Sequence, residues 1–109
     1  MREDGKIDYI EWPAGDLPAT KAFYAAAFGW AFTDYGPDYA AFEGQGADGG
    51  FCTPQEGSTD RPLVVLYAHG IEAMLARVTA AGGVVTRPIF GFPGGRRFHF
   101  TDPFGNELA

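Results

Sequence analysis

Ile10–Trp30, IEWPAGDLPATKAFYAAAFGW, holds a complete passage from strand to helix and decides how the rest of the chain is read. Lys6–Trp12 is rich in β-formers and is stopped by Pro13, which marks a strand. Asp16 then predicts a helix start, because its carboxylate can accept one of the free backbone N–H groups of the first turn. Pro18 is tolerated there, since its missing N–H would have had no helical partner. Leu17, Thr20, Phe23, Tyr24, Ala27 and Phe28 recur at i, i+3, i+4 spacing, and Gly29 is a natural stop.

Outward from this stretch, Trp30–Thr33, Tyr39–Glu43 and Gly50–Thr53 read as short strands separated by glycine-rich turns. The polar run Pro54–Arg61 reads as a linker. The grammar then restarts. Leu63–Ala68 is an apolar strand, and Ile71, Met74, Leu75 and Val78 mark a second helix stopped by Gly82-Gly83. Val84–Thr86 and Arg97–Thr101 are strands, Asp102–Asn106 is a turn, and Glu107–Ala109 opens a last strand. Phe98 and Phe100 fall on one face of their strand and Arg97 and His99 on the other. Gly91–Gly95 reads as a mobile flap beside Arg97 and His99. The helix starts Leu17 and Ile71 are 54 residues apart, about half of the 109-residue chain, as are Tyr9 and Leu63. Each half is thus a β-α-β-β-β unit, too small to bury its own sheet well. The expectation is one α+β domain of two paired modules, residues 1–57 and 58–109, forming a half-open barrel with a ligand cleft.

Composition narrows the function classes. The net charge is −6, with eight Lys and Arg and no dense basic cluster, which argues against a nucleic-acid partner. No apolar run is long enough to span a membrane. The polar stretch after Met1 does not resemble a signal peptide, and the lone Cys52 forms no internal disulfide, so the expected location is the cytoplasm. Cys52 reads as a small buried hydrophobe, and His69, at the entry to the second helix, as a cap or a solvated residue. Neither Gly44–Gly46 nor Gly91–Gly95 carries the Lys-Ser/Thr of a phosphate loop.

Three pieces, taken in order, resemble the vicinal oxygen chelate superfamily of glyoxalases, bleomycin-resistance proteins and extradiol dioxygenases. They are IEWPAGDLPATKAFYAAAFGW, the second helix running into Ala80-Ala81-Gly82-Gly83-Val84-Val85, and FHFTDPFGNELA at residues 98–109. The resemblance implies paired β-α-β-β-β modules around a cleft, and commonly a homodimer. In metal-dependent members, residues of the first strand of each half and of the last strand hold a divalent ion that stabilises negative charge on the substrate. Carried over by position, those places fall on Tyr9, Leu63 and Ala109, which are not the family's ligand types. Either the sequence is cut short of its natural end at Ala109, or the family's metal chemistry is abandoned here.

The expected function is therefore small-molecule binding without the usual metal or any other cofactor. The ligand-facing residues are Tyr9, Leu63, Val65, Tyr67, Arg97, His99 and Glu107, with His99 and Glu11 as the catalytic candidates. Arg97 suits a carboxylate or other polar group, and His99 suits proton transfer near neutral pH. The alternative is a metal-dependent lyase, isomerase or dioxygenase in which Glu11, His99 and Glu107 act as shifted ligands of Zn, Mn, Fe or Ni. Plainer roles are a solvated Glu107 and a Glu11 that only compensates Arg97.

Overall fold

The computed structural model describes residues 2–55 and 60–109. Its ten elements are β1 (Ile7–Pro13), α1 (Leu17–Phe28), β2 (Thr33–Asp34), β3 (Tyr39–Phe42), β4 (Gly49–Cys52), β5 (Leu63–Leu66), α2 (Ile71–Ala80), β6 (Val84–Phe92), β7 (Gly95–Thr101) and β8 (Glu107–Leu108). The chain divides into two compact units, Asp8–Leu63 and Met1–Ile7 with Val64–Ala109. Part of the linker read at 54–61 lies outside the described residues.

The two units repeat one topology. In the first the strands run β1-β4-β3-β2, and in the second β5-β8-β7-β6. In both, the first strand pairs parallel with the fourth, and the remaining neighbours are antiparallel. This is the β-α-β-β-β unit that the half-length repeat predicts, twice over.

In the Asp8–Leu63 unit, α1 starts and stops as its sequence dictates. The Asp16 carboxylate accepts the Ala19 N–H at 3.0 Å, and Gly29 closes the helix in the left-handed conformation at φ 73°. Register then sorts the strands by face. Trp12 pairs with Phe51, and Phe51 with Ala40, so these side chains lie together on the helix side. They join Ala14, Leu17 and Phe42 in a core against which Tyr24, Trp30 and Phe32 pack. Tyr24 stacks on Trp30 at 4.9 Å, and Trp30 meets Phe42 at 4.6 Å. That packing explains why the strand read at Trp30–Thr33 shortens to Thr33–Asp34. The aromatic rings of Trp30 and Phe32 fill the core, and the Trp30 N–H turns back to the Tyr24 carbonyl.

In the other unit, α2 begins at Gly70 with no side-chain cap. His69 supplies none; its backbone N–H donates instead to the Asp4 carboxylate at 2.6 Å. Val85 pairs with Phe100, and Phe100 with Leu108, while the buried Phe98 shares the face of Phe100. The stretch read as a mobile flap is the tip of a hairpin. β6 runs on to Phe92, β7 begins at Gly95, and Phe92 pairs with Gly95. Register shifts between Val85 and Arg87 and between Arg87 and Phe90 carry β6 past Pro88, which cannot donate to the ladder.

Candidate functional site

Two polar groups stand on the faces that the helices leave uncovered, one in each unit. In the Asp8–Leu63 unit, strand alternation puts Tyr9 and Glu11 opposite the Trp12 face. Glu11 pairs with Gly50 and Gly50 with Ala41, so Tyr39, two residues before Ala41, shares that face. Gly50 makes the arrangement possible. A Cβ built there would lie 2.5 Å from the Tyr39 hydroxyl and 2.7 Å from its ring. The Tyr39 phenol therefore lies across a bare strand and reaches both neighbours on β1. It donates to the Glu11 carboxylate at 3.2 Å and is hydrogen-bonded to the Tyr9 hydroxyl. Burial holds the Tyr39 phenol protonated far above its usual range, aided by the Tyr9 hydrogen bond and the Glu11 charge.

In the other unit, Thr101 pairs with Glu107, which brings His99 and Arg97 to the same face as Glu107. Val64 pairs with Leu108, so Val65 and Tyr67 face that way as well. His99 is 2 % exposed. Its Nδ1 lies 3.1 Å from a Glu107 carboxylate oxygen. Burial pushes the imidazole below its ordinary pKa, and the Arg97 and Arg87 charges act the same way. The hydrogen bond and the charge of Glu107 act against them but do not prevail. His99 is therefore neutral at pH 7. Because a carboxylate only accepts, Nδ1 carries the proton and Nε2 the lone pair. That Nε2 is buried and has no hydrogen-bond partner among the described residues. Phe90 lies 5.7 Å from the imidazole. The Arg87 guanidinium sits 3.8 Å over the Phe90 ring, and that of Arg97 sits 5.1 Å from Phe92. The set offers one buried acceptor, two cations and an aromatic wall.

The sequence-predicted residues thus fall into two sets, Tyr9 with Glu11 and His99 with Arg97, Glu107, Val65 and Tyr67. Leu63 is buried at the start of β5, and the Arg2 guanidinium covers the Tyr67 ring at 4.4 Å. Cys52 is half-buried rather than fully enclosed, and its thiol donates to the Thr53 carbonyl. Sequence reasoning missed Tyr39, Arg87, Phe90 and Phe92. The signal for Tyr39 was present in Gly49-Gly50, a glycine pair inside a strand, which marks a close approach. The signal for Arg87 and the two phenylalanines was lost when β6 was read as ending at Thr86.

The donor set does not fit the divalent ion that the family implies. Tyr9 is hydrogen-bonded to Tyr39, and the Leu63 side chain has no donor atom. The Ala109 backbone is used by β5, its N–H on the Val64 carbonyl and its carbonyl on the Leu66 N–H. Such an ion needs several oxygen, nitrogen or sulfur ligands converging on one point. Among the described residues, no group of three or more His, Cys, Asp or Glu is placed to hold a metal. His99 and Glu107 form a pair, and the groups shown around Glu11 are phenols.

Comparison with known proteins fixes the class. Residues 6–109 match the model of the Glyoxalase/Bleomycin resistance protein/Dioxygenase superfamily, and the chain belongs to that superfamily. Among curated proteins none matches it. Among solved structures, the chain is similar to methylmalonyl-CoA epimerase from Mycobacterium tuberculosis, with TM-score 0.75 at 14 % identity over 99 % of this chain and 87 % of the other. It is equally similar in fold to a protein described as an NAD-dependent benzaldehyde dehydrogenase from Legionella pneumophila, with TM-score 0.75 at 12 % identity over 92 % and 93 % of the two chains. A Mn(II)-bound glyoxalase from Novosphingobium aromaticivorans is 26 % identical with TM-score 0.69; the match covers 99 % of this chain but 38 % of that one. An epimerase, a dehydrogenase and a glyoxalase on one fold show how little the fold says about the reaction. No helix among the described residues is long and apolar enough to cross a membrane.

Proposed function

We propose that this chain binds a small aromatic molecule bearing an anionic group and a hydroxyl, through its own side chains and without the family's divalent metal. The observation that carries the reading is the buried His99 Nε2, a lone pair with no partner among the described residues. An unsatisfied buried polar atom costs about 1–3 kcal/mol, which a bound donor would recover. Glu107 fixes the tautomer and so keeps Nε2 accepting. Arg97 orients the anionic group, and Phe90 and Phe92 supply apolar area for a ring. Val65 and Tyr67 complete the proposed ligand-facing set of this unit, and Tyr9 and Leu63 are the ligand-facing candidates of the Asp8–Leu63 unit. The candidate catalytic groups are His99, taking a proton from the ligand hydroxyl, and, in the Asp8–Leu63 unit, Glu11. The chain is read as a homodimer working in the cytoplasm. Support for pairing comes from Phe23 and Phe28, more than half exposed on a helix whose only charged residue is Lys21.

The test is calorimetry with 3-hydroxybenzoate, whose hydroxyl cannot reach its own carboxylate, and benzoate. The first should bind about fivefold more tightly, the difference being one hydrogen bond to Nε2. His99→Phe should abolish that difference, and Arg97→Ala should weaken both ligands about tenfold. Equal affinities in the wild type, or an unchanged difference in His99→Phe, contradicts the reading. The metal-dependent alternative through Glu11, His99 and Glu107 requires stoichiometric metal that Glu107→Ala loses.

A further inference from the structure

The two register shifts in β6 decide which way Arg87 points. Val85 pairs with Phe100, and Arg87, two residues on, would share the face of Val85 in a regular strand. It pairs instead with His99, the neighbour of Phe100, so the first shift turns it onto the His99 face. The second shift does the same for Phe90. β6 takes three residues from Arg87 to Phe90 where β7 takes two from His99 to Arg97, and Phe90 therefore stands on the same face as Arg87. The Arg87 guanidinium sits 3.8 Å over the Phe90 ring, and that of Arg97 lies 5.8 Å from the same centroid. Arg87 is half-buried and makes no ion pair among the described residues. Arg96, exposed on β7, is by contrast bound to Glu72 at 2.7 Å. The carboxylate of the group, Glu107, is engaged by His99 at 3.1 Å. A cation drawn partly out of water beside a second cation is unfavourable until an anion joins it. The whole chain carries −6, so the two arginines locally reverse its field.

We propose that Arg87 is a specificity-determining residue, forming beside Arg97 a second anion subsite that selects aromatic ligands carrying two anionic groups. Its guanidinium lies against the Phe90 wall that would receive the ligand ring, so a second carboxylate on that ring meets its planar fork. A ligand with a single anionic group on Arg97 leaves Arg87 uncompensated. The inference rests on the reading of the His99 group as the ligand site and adds to it the charge of the ligand.

Calorimetry on the intact chain compares 5-hydroxyisophthalate with 3-hydroxybenzoate, two meta-substituted rings that differ by one carboxylate. The dicarboxylate is expected to bind about tenfold more tightly. Arg87→Gln removes the charge and keeps a polar side chain in its place. It should reduce that advantage to within about twofold and leave 3-hydroxybenzoate within about twofold of its wild-type affinity. In the wild type the advantage should also shrink as ionic strength rises, because the second carboxylate adds a charge–charge attraction. If 3-hydroxybenzoate binds and the second carboxylate adds nothing, the inference alone is overturned. The same holds if the advantage is indifferent to salt or survives in Arg87→Gln. If neither ring binds, the reading of the His99 group fails and the inference fails with it.

Discussion

Burial and Glu107 pull His99 in opposite directions, and the sign of their balance has a consequence for stability. With its pKa lowered in the fold, His99 takes up a proton more readily in the unfolded chain. Its contribution is therefore fully present above the unfolded imidazole value of about 6.5 and is lost as pH falls below it. Urea midpoints should drop between pH 7.5 and 5.5, and His99→Gln should flatten that slope. A midpoint that rises on acidification would show a protonated, Glu107-stabilised imidazole instead. The carboxyl pKa of Asp102, lowered by its hydrogen bonds from Asn106 and the turn, acts at lower pH and leaves this window clear. Much of this residue-scale chemistry was legible in the sequence. Alternation alone put Arg97 and His99 on one face and Phe98 and Phe100 on the other. Tyr39 was not legible as a partner of Glu11, since 28 residues separate them and only the β1-β4-β3 register brings them together.

At the scale of elements, caps were the easiest features to read, because a cap is a local interaction. Asp16→Ala should cost about 1 kcal/mol, measured by chemical denaturation, with loss of the bond to the Ala19 N–H. The aromatic layer between α1 and its strands carries more. Phe51 is 2 % exposed and meets Trp12, Tyr24, Phe32 and Phe42, so Phe51→Ala should cost about 3–5 kcal/mol in the same assay. Strand ends were harder. β2 shrank because Trp30 and Phe32 serve the core, and β6 lengthened past Pro88 because register shifts absorb the proline. Both outcomes depend on tertiary neighbours that a local pattern does not contain. Gly50→Ala joins the scales. The new methyl group must displace Tyr39, with an expected cost of about 1–3 kcal/mol and altered Tyr39 resonances.

For the whole molecule, the interval of 54 residues between Leu17 and Ile71 was the most informative number in the sequence. It anticipated two units with one order of elements, β-α-β-β-β, and that order is what the structure has. Period and punctuation survive where residue identity between the halves does not, because a repeat preserves the burial pattern before it preserves side chains. The resemblance to the superfamily, not the repeat, put its metal-ligand places on Tyr9, Leu63 and Ala109, none of which is a His, Cys, Asp or Glu. The central claim is that this member of the superfamily recognises its ligand with His99, Arg97 and Glu107 in place of a metal ion. The most direct test is 15N NMR of the His99 imidazole at pH 7.5, with Zn²⁺, Mn²⁺ and 3-hydroxybenzoate added in separate titrations. The account predicts a saturable shift at Nε2 with 3-hydroxybenzoate, and no stoichiometric shift or paramagnetic broadening with either metal. Stoichiometric perturbation of the His99 nitrogens by Zn²⁺ or Mn²⁺, lost in Glu107→Ala, would contradict it.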